Sequence, residues 1–92
     1  MRRGIIVTVL RVPKSGGIPT TKARVARWFK KEGSKIRPGE PVVELETEKV
    51  NYELDAPVAG VLLKIIAAID REVPVGDPLG CIGQPGETLP EF

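Results

Sequence analysis

Apolar and polar residues alternate in short runs along this chain, and glycine and proline separate the runs. Ile5 to Leu10 reads as an opening strand, and a loop with two glycines, Pro13 to Pro19, follows it. Pro41 to Glu46 and Val50 to Asp55 both alternate with a period of two. Val43 and Leu45 share one face; Val50, Tyr52 and Leu54 share another, with Asn51, Glu53 and Asp55 opposite. Gly60 to Ile69 has the β-branched content of a buried strand. Lys22 to Gly33 is ambiguous by itself. Val25, Trp28 and Phe29 fall at helical spacing, and Gly33 stands where a helix would stop.

An internal repeat resolves that ambiguity. Shifted by 37 residues, Ala23–Leu45 aligns without a gap on Gly60–Ile82. Gly39 meets Gly76, Pro41 meets Pro78, Glu40 meets Asp77 and Arg27 meets Lys64. The pairs Val25/Leu62, Ile36/Val73, Val42/Leu79 and Leu45/Ile82 stay apolar. Two equivalent halves share one structure, so both segments are expected to be strands related by a pseudo-twofold axis. As a strand, Val25, Arg27 and Phe29 face one side and Ala26 and Trp28 the other. Close-spaced short strands with Gly/Pro turns predict an all-β sandwich or barrel. Gly33, Gly39, Gly60 and Gly76 mark its turns. The segment 84–92 loses alternation and is expected to begin a flexible linker after a domain spanning 1–83, which favours a piece of a longer protein.

Composition narrows the chemistry. The chain has 92 residues, 41% hydrophobic and 28% charged, which fits one small globular domain rather than a disordered segment. Histidine is absent, which removes His-based triads, His metal ligands and an imidazole pH switch. Cys81 is alone, so it forms no intrachain disulfide or Cys-cluster metal site; no metal site is expected. Cys81 is expected to be a small buried strand residue, and a lone cysteine fits a reducing compartment. The longest apolar stretch is broken by Lys64, so no spanning helix is expected, and Met1 to Leu10 lacks a secretory cleavage pattern.

Net charge is +2, but residues 1–37 hold eleven of the fourteen Lys/Arg and one of the twelve acids, Glu32. That asymmetry raises a nucleic-acid-binding β-barrel as an alternative. Only Trp28 and Phe29 interleave with the bases, and no nucleic-acid motif accompanies them. The plainer reading is two oppositely charged strand faces that attract each other once folded.

Between the two alternating strands lies Thr47-Glu48-Lys49-Val50, with Glu48 and Lys49 at the turn. Without Gly or Asn a primed turn is disfavoured, so a type I turn is expected, displaying the Lys49 amine in water. An isolated Glu-Lys turn is ordinarily just a solvated turn. The surrounding constellation changes that. The run Glu44 to Asn51 reads E-L-E-T-E-K-V-N, with Gly33 sixteen residues before Lys49 and Gly60 eleven after it. Together with Arg27 to Gly33, Pro41 to Thr47, Ala56 to Val61 and Val73 to Leu79, it closely resembles the lipoyl-attachment domain, over roughly Val7 to Gly83. That family occurs in the acyltransferase (E2) components of 2-oxo acid dehydrogenase complexes. Its motif is usually E-T-D-K; here Glu48 replaces the aspartate.

The resemblance implies a flattened barrel of two four-stranded antiparallel sheets, with the modified lysine at a hairpin tip and both termini at the other end. It implies lipoic acid in amide linkage on Lys49, framed for a lipoate ligase or lipoyl transferase by Glu46, Thr47, Glu48 and Val50. The domain would be a carrier and not itself an enzyme. It would exchange acyl groups between a thiamine-diphosphate-dependent E1, the E2 catalytic domain, which transfers to coenzyme A, and the flavoprotein E3. Ser15, Gly16 and Gly17 would lie near the tip, where family members contact E1. A monomeric domain in the cytoplasm, or in the mitochondrial matrix of a eukaryote, with no nucleic-acid or membrane partner, is the accompanying expectation. A biotin carrier shares the fold, but its lysine normally sits in M-K-M, whereas Glu48 and Val50 flank Lys49 and the sole methionine is Met1. Glycine-cleavage H-protein is a further relation, longer and with a different lysine context.

Overall fold

The computed structural model describes residues 7–13 and 21–85. Eight strands occupy them: β1 Thr8–Arg11, β2 Lys22–Trp28, β3 Lys35–Ile36, β4 Pro41–Glu46, β5 Asn51–Asp55, β6 Gly60–Ile65, β7 Glu72–Pro74 and β8 Pro78–Gly83. They form two four-stranded antiparallel sheets ordered β1-β8-β6-β3 and β5-β4-β2-β7. Under the 37-residue shift β2, β3 and β4 become β6, β7 and β8, so one sheet order maps onto the other with β1 matching β5. The repeat is therefore structural.

The aligned apolar pairs build the core. Val25, Leu62, Val42, Leu79, Leu45 and Ile82 are fully buried, and Ile36 and Val73 nearly so. Cys81 is buried beside them, as a small strand residue should be, and burial pushes its thiol pKa up against the opposing charges of Lys64 and Arg11. Loop hydrogen bonds repeat in the same way. Phe29 N–H donates to Val42 O and Ile66 N–H to Leu79 O, both at 2.8 Å; Gly33 N–H donates to Leu62 O and Asp70 N–H to Val25 O, also at 2.8 Å. The second pair crosses between halves, so each repeat completes the other and neither is a closed unit by itself.

Three expectations about the strands need correction. The predicted face Val25–Arg27–Phe29 is broken by a bulge: Val25 pairs with Leu45, but Arg27 pairs with Glu44, leaving Ala26 as the extra residue. Arg27 thus turns outward, lying over the Phe29 ring at 4.5 Å, while Trp28 turns toward the core and donates from Nε1 to Ala67 O at 2.8 Å. The same bulge recurs between Leu62 and Lys64. The opening strand begins at Thr8, and the residues proposed before Val7 lie outside the described ones. Val50 does not join the face of Tyr52 and Leu54; it precedes β5 and is exposed.

Four of the marked glycines carry positive φ: Gly33, Gly39, Gly60 and Gly76. Gly60 is the tightest, because a Cβ there would stand 2.8 Å from Gly83 O. The repeat equivalent of Gly33 is Asp70, which also adopts a left-handed φ of 74°. Beyond Pro85 the expected linker lies outside the described residues.

Candidate functional site

Lys49 sits on the β4–β5 connection, and pairing continues to its base, where Glu46 faces Asn51 and Leu45 faces Tyr52. Two consecutive antiparallel strands joined by four residues leave the connection no choice but to project beyond the sheet. Glu48, Lys49 and Val50 are exposed. Among the described residues no carboxylate forms an ion pair with the Lys49 amine.

Both the backbone and the side chain of Thr47 bond across the turn. Thr47 N–H donates to Val50 O at 2.9 Å, while the Thr47 hydroxyl donates to the same carbonyl at 2.7 Å. That hydroxyl also accepts from Val50 N–H at 3.0 Å and from Lys49 N–H at 3.3 Å. A side chain thereby does the turn's work, which suits a sequence without Gly, Asn or Pro at the tip. The hydroxyl's role was missed by pattern reading, although a threonine just before a two-residue turn was its available signal.

The base of the hairpin is tied down by Arg24. Its Nε donates to Glu46 Oε1 at 2.8 Å, Nη2 reaches the same oxygen, and Nη1 reaches Asp70. The hydrogen bond to Glu46, then the charges of Glu46 and Asp70, raise the Arg24 pKa above its ordinary value against some desolvation. With Lys22–Glu72, Arg27–Glu44 and Lys30–Glu40, every ion pair among the described residues joins a cation of the basic first stretch to an acid of the second. The charge asymmetry of the sequence is thus used within the fold, at surface pairs worth individually little.

A shallow groove runs along the β2 and β7 side of the tip, lined by Thr21, Arg24, Glu46, Glu48, Lys49 and Glu72 among others. The Thr21 carbonyl also accepts from Val75 N–H at 2.9 Å, which ties this edge of the groove to the residue that follows β7. Ser15, Gly16 and Gly17, proposed for E1 contact, lie outside the described residues. The structure brings Glu46, Thr47, Glu48, Lys49 and Val50 onto one hairpin. Gly33, Gly39 and Gly76 lie in turns elsewhere, whereas Gly60, expected at a turn, opens β6 and pairs with Ile36. Among the described residues no group of three His, Cys, Asp or Glu side chains is placed to hold a metal.

The strand connections fix which end carries the lysine. Val12, just past β1, exchanges hydrogen bonds with Gly76 and Asp77 at the start of β8, and Thr21 lines the Lys49 groove. The start of β1 instead pairs with the end of β8, Thr8 with Ile82. The hairpin tip and the end of β8 therefore occupy opposite ends of the molecule.

A family profile described as "Biotin-requiring enzyme" (Biotin_lipoyl) matches residues 8–82. The chain belongs to the biotin/lipoyl-attachment family. Curated relatives include the dihydrolipoyllysine-residue acetyltransferase component of the pyruvate dehydrogenase complex of Mycobacterium bovis, 48% identical over 67 residues, 73% of this chain. Another is the dihydrolipoyllysine-residue succinyltransferase component of the 2-oxoglutarate dehydrogenase complex of Bartonella vinsonii, 46% identical over 77 residues, 84% of this chain. The chain spans only 12% and 18% of those two proteins. Among solved structures, the lipoyl domain of the Azotobacter vinelandii 2-oxoglutarate dehydrogenase complex superposes with TM-score 0.65 at 28% identity, covering 90% of this chain and all of that one. Kluyveromyces lactis urea carboxylase matches with TM-score 0.71 at 18% identity, over 89% of this chain and 7% of that one, a likeness of fold alone. The attachment-domain fold, the two four-stranded sheets and the lysine hairpin read from the sequence thus hold together in one family.

Proposed function

We propose that this chain is the lipoyl-carrying domain of the acyltransferase component of a 2-oxo acid dehydrogenase complex, with Lys49 as the attachment residue. The observation that carries the reading is an exposed lysine with no ionic partner among the described residues, at the tip of a hairpin, in a family defined by such attachments. Lipoate rather than biotin is favoured because Glu48 and Val50 flank Lys49, and because the relatives over this segment are named for a dihydrolipoyllysine residue. When bound, lipoate supplies a dithiolane whose sulfur accepts an acyl group and later releases it.

The chain's own residues contribute placement. β4 and β5 fix where the arm begins, the exposed tip keeps the Lys49 amine in water for amide formation, and Arg24 braces the hairpin through Glu46. Tethering then raises the local concentration of the carried group at successive partners. Those partners are a thiamine-diphosphate-dependent E1, the E2 catalytic domain and E3, with a lipoate ligase or lipoyl transferase installing the group. Glu46, Thr47, Glu48 and Val50 are the residues that frame the lysine for that enzyme, and Ser15, Gly16 and Gly17 the segment offered to E1. The reading carries a cytoplasmic location, or the mitochondrial matrix in a eukaryote.

The test offers the protein to a lipoate ligase with ATP and lipoate and, in parallel, to a biotin ligase with ATP and biotin, followed by intact-mass measurement. The loaded product is then given E1, thiamine diphosphate and pyruvate or 2-oxoglutarate. Loading with lipoate and acylation by one of these E1 reactions is expected. Preferential biotinylation would convert the assignment to a biotin carrier.

A further inference from the structure

We infer that Thr47 is a positioning residue for the modification of Lys49: its hydroxyl orders the hairpin tip that the modifying enzyme must accept. This rests on the reading of Lys49 as the attachment residue, and adds how Thr47 acts there: through the backbone, without touching the incoming group.

The inference starts from an asymmetry. Among the described residues the turns at 31–34 and 37–40 are held by backbone bonds that recur in the other repeat, as Gly39 N–H to Ala56 O at 2.8 Å recurs in Gly76 N–H to Val12 O at 2.9 Å. The Lys49 tip has no such counterpart, because at the equivalent place β1 and β8 are separate segments rather than one hairpin. Its sequence also lacks the residues that favour a tight turn. Beyond the single backbone bond from Thr47 N–H to Val50 O at 2.9 Å, order at the tip is left to the Thr47 side chain.

A hydroxyl has one proton to donate and two lone pairs to offer. Thr47 gives the proton to Val50 O at 2.7 Å and takes Val50 N–H at 3.0 Å and Lys49 N–H at 3.3 Å. Its capacity is filled inside the hairpin, so none remains for a direct bond to a partner. The peptide groups on both sides of Lys49 are thereby held to one side chain, which fixes the direction in which the lysine leaves the tip. The reaction served is amide formation. The Lys49 nitrogen bonds to the carboxyl carbon of lipoate activated as its adenylate by ATP, AMP leaves, and the amine proton passes to solvent.

An enzyme that accepts only the ordered tip sees its apparent affinity reduced by the ordered fraction. Steady-state lipoylation of the full chain by a lipoate ligase, with the domain as varied substrate, should therefore separate KM from kcat. Thr47→Val keeps the shape and loses the hydroxyl; its KM should rise about tenfold, as for a tip ordered in roughly one chain in ten, with kcat little changed. Thr47→Ser retains all three bonds and should restore KM to within about twofold of the parent. Amide hydrogen exchange supplies a readout independent of activity: Lys49 and Val50 should exchange faster in Thr47→Val, while Val25 and Leu45 keep their protection. Thr47→Ala repeats the comparison should the valine disturb β4.

Unchanged KM in both hydroxyl-free variants, a loss in kcat alone, or unaltered exchange at Lys49 and Val50 would overturn the inference. Failure of the unsubstituted chain to accept lipoate at all would instead overturn the reading of Lys49, so the two failures are distinguishable.

Discussion

The two repeats share a backbone but are decorated differently, and the difference lies at the ends of β4 and β8. At the end of β4 stand Glu46 and a continuous hairpin; at the end of β8 stands Gly83, and the neighbouring strand β1 is a separate segment. Arg24, which braces Glu46, corresponds to Val61, and Ala23 corresponds to Gly60. One half thus gathers charge and a closed tip around a lysine, while the other gathers glycines where strands approach closely. Symmetry supplies a stiff frame, and function occupies one copy of a position that the frame offers twice.

That contrast can be broken most severely at Gly60. Its φ of 155° and the 2.8 Å approach of Gly83 O leave no room for a side chain. Gly60→Ala, which copies Ala23, should cost about 2–4 kcal/mol from backbone strain and overpacking combined. Thermal melting should fall by more than about 8 °C, given ~4–8 °C per kcal/mol in a domain of this size. A shift of a degree or two would show that the halves are interchangeable at this point.

Asp70 gives a smaller effect with a cleaner control. Asp70→Gly and Asp70→Ala both remove the carboxylate that meets Arg24, but only glycine enters the left-handed region freely, as Gly33 does in the equivalent turn. The alanine variant should be less stable than the glycine variant by about 1 kcal/mol in denaturant titration. Equal stabilities would mean that the positive φ at residue 70 carries no cost. Arg24→Ala should lower the melting temperature more than Arg27→Ala, because Arg24 serves two carboxylates and Arg27 one, and added salt should narrow the gap.

The smallest effect concerns pH. Glu40 is held below its ordinary value of 4.5, chiefly by the Arg37 N–H that donates to it at 2.8 Å, with Lys30 adding to this against some desolvation. A depressed folded value means that the carboxylate's contribution is present above pH 4.5 and is lost as pH falls through the folded value. Glu40→Gln should therefore flatten the acid limb of a melting-temperature profile below that pH and leave its neutral region parallel to the parent's. An unchanged acid limb would remove Glu40 from the account.

Much of this was legible before any coordinates. The repeat of 37 residues carried the sheet symmetry, because Val25/Leu62, Val42/Leu79 and Leu45/Ile82 had to fill equivalent core positions. It also overruled the helical spacing of Val25, Trp28 and Phe29, since a non-local partner strand outweighs local periodicity. The bulge at Ala26 left no compositional trace: one extra residue in a strand reverses the faces that follow without changing what the residues are. Asp70 could have been found, since it aligns with Gly33 and aspartate tolerates a left-handed turn. The Arg24 brace could not, because it joins residues 22 and 46 positions apart through a register that strand patterns alone leave unset.

Peptide mapping of the protein after lipoate loading reaches the centre of the account most directly. A single lipoyl group should be found on Lys49, none on the other lysines, and none on a folded Lys49→Arg variant. A lipoyl group on a different lysine, or equal loading of that variant, would contradict it.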